Sequence, residues 1–154
     1  MEEQLLDTWR IHCRINLYIL DAVQTEAFTG PPPAKGRSFE QMFAHVHNVR
    51  LMWLQAAAPD LLAGLQKIEK ETPADKAFLH DALAASGRAI ETMLQRALAA
   101  GGRVKGFKPH AAAFLGYLIS HEAYHHGEIG LALTQAGFPL DKKTAYGMWE
   151  WGVR

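Results

Sequence analysis

The seven prolines of this chain stand at positions 31 to 33, 59, 73, 109 and 139, and each long interval between them repeats apolar residues at the three-and-four spacing of an amphipathic helix. Proline supplies no backbone donor and pushes the residue before it out of helical dihedrals, so these positions bound helices rather than sit inside them. Four principal helices and no convincing strand follow. The first runs from about Gln4 to Phe28, with Leu6, Trp9, Cys13, Leu20 and Val23 in register, and Gly30 with Pro31, Pro32 and Pro33 ends it. The second opens at Ser38, which has Gln41 three residues on as in a capping box, and carries Met42, Val46, Val49 and Trp53 towards a stop at Pro59. Thr72, Pro73 and Asp75 start a third helix that ends at Gly101 and Gly102, and a fourth runs from near Pro109 to Gly137. Residues 60–71 read as one or two amphipathic turns, and the aromatic stretch from Tyr146 to Trp151 as a tail folded back on the helices. The pattern predicts an all-α four-helix bundle with short extra helical turns, forming a single domain over residues 1–154.

Composition narrows the function. A chain of 154 residues, 49% apolar, can bury a core without disulfides or a structural metal. Cys13 is the single cysteine, so no internal disulfide forms and a reduced, cytoplasmic setting is expected. Sixteen basic side chains balance sixteen acidic ones, which argues against a nucleic-acid partner, because phosphate neutralisation needs a cationic surplus. No stretch approaches 18 consecutive apolar residues, and the opening MEEQLLDTWR is acidic where a secretory signal is basic, so neither membrane spanning nor export is expected. What stands out is eight histidines.

Several of these histidines share one face of the fourth helix. With His121 as reference, His110, Phe114, Leu118, His125, Glu128 and Ala132 all project within roughly 60° of it. Imidazoles and a carboxylate on a core-facing stripe need partners, and a bound cation would supply one. His121 and His125, spaced i and i+4, stack one turn apart and can converge on a single metal. A third ligand must come from another helix. His45 lies closer than His47 to the apolar stripe of the second helix and is the better candidate. Three neutral imidazoles with an open position suit zinc, nickel, iron or manganese acting on water or a thiol. Glu128 is the acceptor expected for the remaining ring nitrogen of a ligand and the carboxylate expected to orient a nucleophile or take its proton. Asn16, His12, His110 and Tyr124 are expected to line the pocket, whereas His47, His80 and His126 read as solvated or paired. Cys13 reads as a small apolar core residue.

On the other side of the fourth helix, Ala112, Gly116, Ala123, Gly127 and Gly130 form a strip of small residues, which requires either a close helix neighbour or a dimer interface. The run HEAYH at 121 to 125 also matches the H-E-x-x-H motif of zinc peptidases. The longer metzincin form needs glycine and histidine where this chain has Glu128 and Leu131, and Glu122 projects about 100° from His121. A peptidase is therefore the weakest of the readings.

The segments SFEQMFAHVHNVRLMWL at 38 to 54 and FLGYLISHEAYHHGEIGLALTQAG at 114 to 137 resemble the DinB-like proteins, bacterial four-helix bundles with a three-histidine metal site. The likeness extends to the opening WRIHCRINLYILDAV and the closing YGMWEWG. The family's HIxNVxxxWL pattern falls on His45, and its HExHHxGQI pattern falls on His121 and His125. Tyr124, His126 and Glu128 stand where the family often has histidine, arginine and glutamine, which alters the charge of the pocket. The resemblance implies a metal-dependent transferase or hydrolase acting on a small molecule: its members include S-transferases that use a low-molecular-weight thiol, and a mycothiol-dependent isomerase. The expected cofactor is a divalent ion, zinc or nickel first, with a thiol cosubstrate. A homodimer is expected, and a non-catalytic metal- or ligand-binding dimer is the alternative.

Overall fold

The computed structural model describes residues 1–30 and 36–154, and among them it contains helices and no strand. Four long helices carry the architecture: α1 (Glu2–Ala22), α3 (Phe39–Ala57), α4 (Lys76–Ala99) and α5 (Ala111–Gln135). Two short ones join them, α2 (Thr25–Thr29) and α6 (Lys142–Gly147), with one 3₁₀ turn at Pro59–Leu62. α4 packs against both α1 and α3, and α5 closes the bundle against the same two.

The helix starts follow from their caps. Ser38 and Gln41 form a reciprocal capping box at the head of α3, satisfying two backbone N–H groups that the helix leaves unpaired. Asp75 caps α4 by accepting from the Phe78 N–H at 2.8 Å, so Pro73 lies before the helix and not at its first position. His110 caps α5 in the same way, its Nδ1 accepting from Ala113 at 3.1 Å. α5 ends where Gly137 turns to φ 84°, a conformation that L side chains avoid.

Two expectations need correction. The first helix does not run to Phe28: Val23 is extended at φ −67°, ψ 125°, and α2 begins afresh at Thr25. The break buries Val23 and swings Phe28 against Phe39 and Phe43. The stop assigned to Pro31, Pro32 and Pro33 lies outside the described residues. Of residues 60–71, expected as one or two amphipathic turns, the first lie in the 3₁₀ turn at Pro59–Leu62, and the remainder, with the residues up to Asp75, form an irregular strap fastened to α3. There Asn48 donates to the Ile68 carbonyl at 2.8 Å and accepts from its N–H at 2.9 Å, and His47 reaches the Gln66 carbonyl at 3.0 Å. The aromatic tail does fold back, with Met148 and Trp151 on the core and the Arg154 guanidinium 3.8 Å over the Tyr18 ring.

The apolar interior is split into two clusters. One gathers Ile15, Ile19, Phe43, Val46, Leu79, Leu83, Ile129 and Leu133. The other gathers Leu6, Trp9, Leu54, Ile90, Leu94, Phe114 and Leu118. Burying each of these large side chains contributes about 1.5–3 kcal/mol. Every long helix passes from one cluster to the other through a polar stretch: His12 and Asn16 on α1, His47 and Arg50 on α3, Ser86 on α4, Glu122 and His125 on α5, all buried. The bundle therefore has a polar belt at mid-height, and the site lies in it.

Candidate metal centre

Within the belt, consecutive residues of α5, about 100° apart, meet different neighbours. Glu122 and His126 face α1, while His121 and His125 face α3. On the α3 side the ring centroids of His45, His121 and His125 are 5.4, 4.6 and 4.6 Å apart, and one ligand nitrogen from each lies within 4.8 Å of the others. The structure thus brings together the three histidines singled out from the sequence, and they can hold a metal ion.

The hydrogen bonding around them decides where the lone pairs point. Glu128 Oε2 stands 2.6 Å from His125 Nδ1, and a carboxylate only accepts, so the proton sits on Nδ1. The Nε2 of His125 then carries a lone pair, and it faces His121 Nε2 at 3.2 Å. Two nitrogens that ligate one tetrahedral zinc at about 2.0–2.1 Å stand roughly 3.3 Å apart, so this spacing fits a shared cation. His121 Nδ1 is buried and has no hydrogen-bond partner among the described residues, so this nitrogen is left open for a ligand. Burial, and next the positive charge of Arg37, lowers the His45 imidazole to about 4. Burial likewise lowers His121, with His125 adding to the effect. Both rings are neutral at physiological pH, the state in which imidazole binds a cation.

His45 opens onto a cleft of about 380 Å³ bounded by the strap, and Glu128 borders a second of about 450 Å³; Arg37 lies on both. A stack of aromatic rings leads away from the cluster, with Tyr117 6.2 Å from His121 and Trp53 and Phe107 beyond it.

The α1 side of the belt does different work. Arg50 is fully buried and forms a two-pronged pair with Glu122, Nε to Oε1 and Nη2 to Oε2, both at 2.7 Å. Glu122 Oε2 also accepts from His12 at 2.8 Å and from Asn16 at 2.9 Å, and His126 donates to Asn16 Oδ1 at 2.8 Å. Burial alone would raise the Glu122 carboxyl, but the Arg50 charge and hydrogen bonds override it and hold the group well below the usual carboxylate range. This glutamate is ionised, saturated with donors and turned away from the three histidines. It cannot serve as the base of an H-E-x-x-H peptidase.

The other residues expected in the pocket are distributed as follows. Tyr124 is largely exposed and meets His125 edge to face at 5.3 Å. Asn16 and His12 belong to the Glu122 network, and His12 borders a cleft on the far side of α5 with His126 and Trp149. His110 is the exposed cap of α5 and borders neither cleft beside the cluster. His47 is buried between two carbonyls, Ala82 and Gln66, each at 3.0 Å. Arg50 was missed in the sequence reading. Its signal is its place in the series Phe43, Val46, His47, Arg50 and Leu54, the face that α3 buries, which the reading centred on Val49 and Trp53 instead.

A family model described as the DinB family matches residues 1–149 of the chain. No curated protein and no solved structure matches it.

Proposed function

The chain belongs to the DinB family, and we propose that it is a metal-dependent enzyme acting on a small molecule, a thiol transferase or a hydrolase, with His45, His121 and His125 holding one divalent ion. The observation that carries this reading is the convergence of three imidazole nitrogens within 4.8 Å at the edge of open clefts. Structural metal sites are closed by four protein ligands; three ligands beside a cleft suit a site that keeps a position for substrate. Imidazole donors favour zinc or nickel, with iron or manganese as alternatives. A bound ion would supply Lewis acidity, lowering the pKa of a water or thiol brought to it. Glu128 holds the His125 ring in the ligating tautomer, and its side chain, 39% exposed, is the base placed to take the proton released by the nucleophile. The aromatic wall from Tyr117 to Trp53 gives an apolar body somewhere to rest.

The test is turnover by protein reconstituted with zinc or nickel, assayed against electrophiles with low-molecular-weight thiols and against ester and phosphoester panels. Turnover that is lost in His45→Ala supports the reading. A fully loaded protein that turns over nothing favours the alternative, a non-catalytic binding bundle. An association of two chains is proposed on separate grounds. A Cβ added at Gly116, Gly127 or Gly130 meets nothing within 4 Å, so this strip of α5 has no close neighbour among the described residues, and a second copy would supply one. Light scattering on the purified protein reads its mass directly.

A further inference from the structure

The cleft beside His45 has a charge that neither the histidines nor Glu128 explain. It is lined by three cations, Arg37, Lys67 and Lys70, against one acid, Glu69. Lys67 and Glu69 neutralise each other across 3.0 Å. Arg37 and Lys70 form no ion pair among the described residues. The arrangement is built into the fold. Asn48, one turn after His45, clamps both backbone groups of Ile68, which fixes the strap that carries the two lysines against the helix that carries the ligand. Gly36, at φ 99°, turns the chain into Arg37 just before the Ser38 cap. Arg37 also lines the second cleft, the one that Glu128 borders. Like charges left unpaired around a concave site concentrate an anion there, and a guanidinium matches a carboxylate or phosphate through two parallel hydrogen bonds.

We propose that the substrate is a small organic anion, its carboxylate or phosphate held between Arg37 and Lys70 while its reacting end lies at His45, His121 and His125. This inference rests on the metal site proposed above and adds its substrate class. Neutral molecules of the same size reach the site but are held there less tightly.

Cobalt-loaded protein provides the test, because a thiolate that reaches the ion gives a charge-transfer band that can be titrated. Mercaptosuccinate, a thiol with two carboxylates, is compared with thioglycerol, a neutral thiol of similar size, in the wild type, Arg37→Ala and Lys70→Ala. The wild type is expected to bind mercaptosuccinate at least about tenfold more tightly than thioglycerol, an advantage that shrinks in high salt and in each variant while thioglycerol binding stays unchanged. Succinate, which has no thiol, should compete with mercaptosuccinate in the wild type, and dihydrogen phosphate as a second competitor distinguishes the two anion chemistries. Equal affinity for the two thiols, or a preference that survives both substitutions, overturns the anionic substrate and leaves the metal site standing. Failure to take up cobalt at all overturns both.

Discussion

Arg50 places a full positive charge at zero exposure, and the fold tolerates it only because Glu122 meets it with both oxygens. Removing one partner of such a pair leaves an uncompensated buried charge, so Glu122→Gln is expected to destabilise by about 3–5 kcal/mol, read as a lowered urea midpoint. The same belt makes the fold sensitive to acid. Burial lowers His126 to about 3, whereas the unfolded chain protonates this ring near 6.5, so stability falls as pH drops below that value. Glu122, depressed in the fold, adds a loss of the same sign once pH falls below its unfolded value near 4.5. The urea midpoint of the metal-free protein should therefore drop between pH 7.5 and pH 4.5, less steeply in His126→Gln, which can still donate to Asn16; a flat profile would contradict this account. At the site, Glu128→Gln removes the carboxylate that fixes the His125 tautomer and should weaken metal binding about 10–100-fold in chelator competition. At this scale sequence and structure agree on His45, His121, His125 and Glu128 but not on His110 or Arg50. An i, i+4 histidine pair is visible to any helical projection. Arg50 is easily passed over, because a charged residue is read as marking the wet face and its countercharge comes from a helix 72 positions away.

The helices were legible where caps and prolines mark them, and less so where tertiary contact decides. Nothing local announces the end of α1: Val23 has neither proline nor glycine beside it, and the chain breaks there because Phe28 finds Phe39 and Phe43. Residues 60–71 read as amphipathic turns, but beyond the 3₁₀ turn Asn48 and His47 take the backbone groups of Ile68 and Gln66 and hold the strap irregular. The glycine of α4 has a cause that no pattern carries. A Cβ at Gly87 would lie 2.9 Å from Cys13 Sγ and 3.4 Å from Arg50 Nη1, at the point where α1 and α4 cross. Gly87→Ala is expected to cost about 1–3 kcal/mol through overpacking, and Cys13→Ala should restore much of it by making room for the new methyl. Additivity of the two substitutions in thermal unfolding would show that the glycine is there for another reason.

Over the whole molecule, two apolar clusters enclose a polar layer, and that layer has two sides with separate roles. The α1 side locks the helices together through Arg50 and Glu122, and the α3 side gathers three imidazole rings beside a cleft. No helix among the described residues is long and apolar enough to cross a membrane. The division of the belt implies that losing the metal leaves the bundle folded, because neither core cluster depends on the three histidines. The most direct test is metal content by elemental analysis of tag-free protein, wild type beside His45→Ala and His125→Ala, with helicity measured on the same samples. The account predicts one equivalent of a divalent ion per chain in the wild type and none in either variant, all three equally helical. Equal metal in wild type and variants, or a folded wild type that binds none when zinc and nickel are supplied, would contradict it.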